Sequence, residues 1–327
     1  MCANIAARFS FCAFASITLL SGCANGSAPS AAPQVSAAQL VMNPGSLLTP
    51  AKVNTSWMYT AQLYGNDAEI YTRQGPKLTP YKSITGLSFP SGSFTTPNGY
   101  WYIANGGAAN AVIYKSTNKG PVGPVGHLDD SGWFPDNVAA TSSRRLVALS
   151  NQSTTSGGAG SVSVYLNRQT EPSRILTYGG GPIQGEGIAI SHRGDCYWSF
   201  NGPESGSGSI VEFAGCSGSG SLILSGIPKA GGIVFDQSDD LYYVNEVDSG
   251  KTDAGIYACK KTSNCGKQLF DDYSGQPINI NFDHKAKLLW LADATGFIYA
   301  VNPKNGKVMS YPAYGAPPYG IAPAPGD

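Results

Sequence analysis

Asp136 and Glu186 are the pair of residues in this sequence best suited to chemistry. Each stands immediately ahead of a short apolar run, Asn137 to Thr141 in one case and Gly187 to Ile190 in the other. Two carboxylates brought together with amide oxygens form a site for a hard divalent cation such as Ca²⁺ or Mg²⁺, so Glu186 and Asp136 are the candidate metal ligands. The amide and further acid oxygens would come from Asn105, Asn151, Asn201, Asn245 and Asp293, with Gln62 and Glu246 in related places. Asn and Asp at such positions also cap turns by bonding nearby backbone, and for the asparagines that role is the expected one. Histidine is scarce: His192 and His284 fall in polar turns, and His127 lies beside an outer run. None is placed to meet a serine and an acid, which argues against a Ser-His-Asp hydrolase and a histidine-rich zinc site. The Gly157-Gly158-Ala159-Gly160 and Gly179-Gly180-Gly181 stretches precede no helix, so neither is a phosphate loop.

The elements that must position these residues repeat with a period of roughly 40–50 residues, the range of propellers and solenoids. The clearest unit runs Glu186 to Ser191, then a polar turn His192-Arg193-Gly194-Asp195, then Cys196 to Asn201, Ser209 to Phe213 and Ser221 to Gly226. That is four short strands, a to d, separated by turn residues. The same order recurs at Gly231–Asp236, Leu241–Asn245 and Gly255–Cys259, and again at Ile278–Phe282, Leu288–Ala292 and Phe297–Val301. Upstream it recurs at Asn137–Thr141 with Leu146–Asn151 and Val162–Leu166, and at Phe94–Thr96 with Tyr100–Asn105 and Val112–Lys115. The first unit, Trp57–Gln62 and Glu69–Thr72, lacks an a strand. The missing strand stands at the other end of the chain, Tyr319-Gly320-Ile321-Ala322, which matches Glu186-Gly187-Ile188-Ala189. A C-terminal strand that completes the N-terminal unit closes a ring and removes exposed strand edges. The expectation is therefore an all-β, six-bladed β-propeller of four-stranded antiparallel blades spanning 51–327.

In that topology a strands begin, and b strands end, on one face, where a ligand is expected. The candidate axial pocket is then Asp136, Glu186, Asn105, Asn151, Asn201, Asn245, Asp293 and Tyr319, beside Gly92, Gly231 and Ile278. Tyr and Trp of the b strands are expected to fill the space between blades. Tyr178, Tyr311, Tyr314 and Tyr319, near Pro and Gly, could add to a partner surface.

The N-terminus reads as an export signal over 1–22: Arg8 precedes an apolar run from Phe9 to Leu20, too short to span a bilayer. It ends in Leu20-Ser21-Gly22-Cys23, which resembles the bacterial lipobox. The resemblance implies a diacylglyceryl group on Cys23, hence a membrane as partner through the N-terminal lipid. Ala24 after that cysteine implies, by the same analogy, the outer membrane of a double-membraned envelope. Residues 23–50, rich in Ala, Ser and Pro, read as a tether. In an exported chain, Cys196, Cys216, Cys259 and Cys265 imply two disulfides. The strand order favours Cys196–Cys216 and Cys259–Cys265 among three connectivities. Formal net charge is zero, so no electrostatic footprint for nucleic acid exists.

Two b–c units carry a further resemblance. Trp101-Tyr102-Ile103-Ala104-Asn105-Gly106-Gly107 with Ala111-Val112-Ile113-Tyr114, and Leu289-Trp290-Leu291-Ala292-Asp293 with Gly296-Phe297-Ile298-Tyr299, resemble the repeats of NHL, YncE-like and gluconolactonase/SMP-30-like propellers. The last group implies a Glu, an Asn and an Asp around a central metal. Only Glu186 falls at a matching strand start here; Asn201 or Asn151, and Asp136 or Asp293, match loosely. Virginiamycin-type lyases rely on a pocket histidine, which this chain does not place. Such folds host binders and enzymes alike. The leading expectation is a lipid-anchored envelope module that binds or scaffolds, its partner an envelope protein or a small-molecule or carbohydrate ligand. A metal-dependent hydrolase of the gluconolactonase type is the alternative.

Overall fold

The computed structural model describes residues 56–325, except 75–76, 180, 182, 205, 247–253, 272–274 and 284–287. The expected signal segment 1–22, the expected tether 23–50 with Cys23, and His284 lie outside the described residues. Among those described, six sheets of four antiparallel strands form the molecule, and no helix is long and apolar enough to cross a membrane.

The innermost strands explain the ring. They are Gly320–Pro323 in blade 1, Pro90–Thr95 in blade 2, Trp133–Ala140 in blade 3, Gln184–Ile190 in blade 4, Ala230–Phe235 in blade 5 and Pro277–Phe282 in blade 6. Each packs against the next around the axis, and blade 6 returns to blade 1. Glycine permits the close approach. A Cβ on Gly92 would lie 2.6 Å from the Asn137 backbone, and one on Gly320 would meet the Ser91 carbonyl oxygen at 2.0 Å. Closure takes the expected form: the C-terminal strand pairs antiparallel with Ser56–Gln62, from Met58 opposite Pro323 to Ala61 opposite Gly320.

Apolar side chains from facing blades make six core clusters, one at each seam. Trp101, Trp198, Trp290, Tyr59, Tyr102 and Tyr197, all from second strands, are fully buried in them. Tyr59 of blade 1 stacks on Trp101 of blade 2 at 4.2 Å between centroids. These rings therefore fill inter-blade space, as their positions on b strands predict. Both expected disulfides are formed, Cys196–Cys216 within blade 4 and Cys259–Cys265 across the outer hairpin of blade 5.

The inner strands of blades 2 to 5 begin earlier than their apolar runs suggest, at Pro90, Trp133, Gln184 and Ala230 rather than Phe94, Asn137, Glu186 and Gly231. That of blade 6 begins one residue early, at Pro277. The cause is a register shift near the start of all five, which breaks the two-residue alternation that marks a strand in sequence.

Candidate functional site at the axial mouth

The shifts fall at one level: between Pro90 and Ser93, Pro135 and Asn137, Gly185 and Ile188, Ala230 and Ile233, and Pro277 and Asn279. A bulge inserts a residue and re-aims its side chain. The inserted positions of blades 2 to 6 include Ser91, Asp136, Glu186, Gly232 and Ile278, and all five line one small cavity with Tyr319. Its ≈ 10 Å³ is room for about one water molecule. Asp136, Glu186 and Tyr319 of the expected pocket thus meet at the mouth of the axis.

Three carboxyls and one ammonium set the charge there. Glu246, which directly follows the second strand of blade 5, is buried and pairs with Lys229 at 2.8 Å. Asp136 and Glu186 are enclosed by protein but keep partial exposure toward the cavity. Burial, then the charge of Glu246, pushes the Asp136 carboxyl up to about 7, against the opposing pull of Ser91 and Lys229. Burial, followed by Glu246 and Asp136, drives Glu186 well above the ordinary carboxylate range, with Lys229 and an Asn201 hydrogen bond opposing. Burial also raises Glu246, and Lys229 holds it down. Desolvation and like charge both favour retained protons. The site therefore favours the protonated, hydrogen-bond-donating form of both acids more than water does, and Asp136 titrates near neutrality.

The b-strand-end side chains serve the loops instead. Asn105 accepts from the Ser88 N–H (2.6 Å), Asn245 from the Lys229 N–H (3.1 Å) and Asp293 from the Gln276 N–H (3.0 Å). Gln62 accepts from the Ala316 N–H at 3.0 Å. In four blades the same position thus pins the loop that enters the inner strand, which is the capping role. Blades 3 and 4, which carry the two acids, depart from it. Asn151 donates to Ser161 and Ser163; Asn201 accepts from the Ala230 N–H (2.8 Å), so it pins the inner strand of the next blade rather than its own, and donates to the Ala230 carbonyl (2.9 Å) and to Glu186 Oε1 (3.0 Å). Asn201 therefore reaches the site through Glu186, whereas Asn105, Asn151, Asn245 and Asp293 do not line the mouth.

Aromatic rings stand around this face. Tyr64 meets Tyr319 edge-on at 5.5 Å, Phe89 lies 6.4 Å from Phe134, and Tyr64, Tyr314 and Phe89 are exposed. Tyr178 and Tyr311 instead pack on Phe200 and Trp290. His127 and His192 sit at the surface beside Asp129 and Asp239.

The metal implied by the family resemblance finds a poor fit. Among the described residues no group of three His, Cys, Asp or Glu side chains is arranged to hold an ion. Glu246, the third acid, is held by Lys229, and one Glu186 oxygen by Asn201. Lys229, Ser91, Asn137 and Asn279 belong to the mouth and carry no sequence signal of their own, since only the bulges and the ring bring them there.

A second, larger cavity of ≈ 350 Å³ opens at the other end of the axis, among the a–b turns, and is lined by the far halves of the inner strands of blades 2 to 6. This larger cavity is therefore on the face opposite the one where a ligand was expected.

The chain matches no family model, and no curated protein resembles it in sequence. Solved structures share its fold. A candidate 6-phosphogluconolactonase from Bacteroides uniformis is 13% identical, with 82% of this chain and 99% of that one covered at a TM-score of 0.57. The calcium-binding protein regucalcin from Agrobacterium tumefaciens is 13% identical over 73% of this chain and 79% of that one, TM-score 0.52. The PQQ-bound aldose sugar dehydrogenase of Streptomyces coelicolor is 15% identical over 74% and 87%, TM-score 0.54. At these identities the likeness is one of fold.

Proposed function

We propose that this chain is a non-catalytic binding module of the bacterial cell envelope, held to a membrane by a lipid on Cys23, whose axial mouth takes a neutral hydroxyl-rich ligand such as a carbohydrate. One observation carries the reading: two carboxyls raised by burial line a small mouth on a face that bears exposed aromatic rings, and among the described residues no three His, Cys, Asp or Glu side chains are grouped to hold an ion. A protonated Glu186 donates to a hydroxyl and Asp136 accepts from one, while Tyr64, Tyr314 and Phe89 offer apolar faces to a sugar ring. The cavity admits a single small group, so the body of the ligand lies above it on the rim.

A metal-dependent hydrolase of the gluconolactonase type is the second reading. The shared cavity of Asp136 and Glu186 supports it, as do the candidate lactonase and calcium-binding regucalcin among the fold neighbours. Thermal unfolding of the whole chain separates the two. A neutral oligosaccharide that raises the melting temperature, with the gain lost in Glu186→Gln and Asp136→Asn, is the expected result. Stabilisation by Ca²⁺ or Zn²⁺ that both substitutions abolish would instead establish the hydrolase reading. Fatty-acid labelling that disappears in Cys23→Ser is expected of the anchor, and labelling that persists would remove it.

A further inference from the structure

The cavity at the opposite end of the axis has a composition unlike that of the mouth. Its walls are inner-strand residues, with Ile190 and Phe235 among the apolar ones, Asn281 and Asp236 among the polar, and Ile188, Ile233 and Phe282 shared with the blade seams. Its floor is polar. Asn137 and Asn279 line both cavities and so mark the constriction between them. They come from blades 3 and 6, which face each other across a ring of six, and they sit at one level, opposite Ser150 and Ala292 of their neighbouring strands. At the same level blade 1 has Gly320, opposite Ala61.

The two carboxamides are not consumed by the fold. Asn137 Oδ1 accepts from the adjacent Val138 N–H at 2.8 Å, and its amide N–H groups make no hydrogen bond with another described residue. Asn279 is only 4% exposed, and its side chain makes no hydrogen bond with another described residue. Neither amide has a fully buried, unpartnered polar atom, so both open onto the cavity and can pair with a polar group that enters it. The charges at the rim are engaged elsewhere. Asp236 accepts from the N–H groups of Ser238 and Asp240, His192 pairs with Asp239, and Asp283 faces Arg73 at 3.8 Å. The Asp236 carboxylate has only neutral N–H partners in these bonds and keeps its charge at the rim, so an anionic ligand is disfavoured.

We infer that this cavity is a second ligand site, for a neutral small molecule with an apolar body and one amide- or hydroxyl-type end that reaches Asn137 and Asn279. A ≈ 350 Å³ space with partly apolar walls and a few convergent polar groups has the form of small-molecule sites in general. The site is separate from the carboxyl-lined mouth and does not depend on the reading given to it.

The neutral fluorophore N-phenyl-1-naphthylamine, an apolar bicycle and phenyl ring bridged by one N–H, is the probe for a fluorescence titration of the whole chain. Saturable one-site binding with a blue-shifted emission is expected. Ile190→Trp fills the cavity from its partly exposed rim and should weaken binding at least about tenfold, and Asn279→Ala should weaken it roughly three- to tenfold, the value of one hydrogen bond. Leu222→Ser, at an exposed outer strand of blade 4, should leave it unchanged. Circular dichroism establishes that each variant is folded. If Ile190→Trp is not, Asn279→Ala decides. Non-saturable binding, or binding that the two cavity variants leave intact, overturns the inference, as does binding lost only in Leu222→Ser.

Discussion

At the mouth one ammonium faces three carboxyls, and its removal exposes what each group contributes. Glu246 is 2% exposed, with Lys229 Nζ at 2.8 Å and no room to retreat, since even a Cβ on Gly231 would lie 2.9 Å from its Oε1. Lys229→Met leaves that carboxylate buried without its counter-charge. Breaking a buried pair costs about 3–5 kcal/mol. The Lys229 side chain is 22% exposed, so solvent screening lowers the figure to about 2–3 kcal/mol. The loss should depend on pH. Without Lys229 the carboxyl of Glu246 binds its proton more tightly in the folded state, so the deficit is larger at pH 8 than at pH 5. Urea midpoints at the two pH values check this, and adding Glu246→Gln to Lys229→Met should restore stability at pH 8. A deficit equal at both pH values would mean that Lys229 acts by packing its stem rather than by charge. Asp136 and Glu186 could be singled out in sequence because acids ahead of apolar runs are conspicuous. Lys229 could not, because it meets Glu246 only where the loop between blades 4 and 5 crosses the end of a neighbouring strand.

The strands show where sequence reading succeeds and where it stops. Six units, the four-strand order and the closing Tyr319-Gly320-Ile321-Ala322 segment were legible because each is written in local pattern: apolar runs, turn residues and a repeat period. The disulfides followed from the strand order. The bulges were not legible. A register shift is a relation between two strands, and Pro135-Asp136-Asn137 or Gly185-Glu186-Gly187 contains no residue pattern that announces it. The mouth is built by those shifts, so its residues could be named by type but its shape could not. The same limit hid the opposite cavity, whose walls read in sequence as core. Glycine at the seam can be tested at the level of the element. Gly320 has no left-handed backbone requirement, yet a Cβ there would stand 2.0 Å from the Ser91 carbonyl oxygen, in the seam where blade 1 meets blade 2 and the ring closes. Gly320→Ala should lower stability by about 3 kcal/mol or more, at the upper end of overpacking effects. Gly181→Ala, with open space around it, should change it by less than about 0.5 kcal/mol. Equal urea midpoints for the two variants would show that the closing strand tolerates displacement and that the seam is not tightly packed.

Across the whole ring the ionisable core carries a consistent bias. Glu69 in blade 1 and Asp130 at the entry to blade 3 are buried, and burial lifts each carboxyl to about 7 against hydrogen bonds from Ser83 and Ser163. Asp136 reaches about the same value at the mouth, and burial with the like charges of Glu246 and Asp136 raises Glu186 well above the ordinary range. An acid whose folded-state pKa is raised binds its proton more tightly folded than unfolded. Its contribution is full below the ordinary value near 4 and is lost as pH rises through about 7. Proteins whose buried acids are ion-paired behave the opposite way, gaining stability as acid is removed. This propeller should therefore be most stable on the acid side of neutrality and weaken between pH 5 and pH 8. Asp130 offers the cleanest measure, since it is fully buried, accepts from Ser163 at 2.6 Å through one oxygen, and leaves its other oxygen without a hydrogen bond. Its share of the loss over that window is about 2 kcal/mol. Asp130→Asn keeps an acceptor for Ser163 and cannot ionise. It should leave stability at pH 5 nearly unchanged, raise it at pH 8, and flatten the pH dependence by that amount in chemical denaturation. A wild-type stability that rises from pH 5 to pH 8, or a slope that Asp130→Asn does not reduce, would show that the buried carboxyls are ionised and that water or an ion satisfies them.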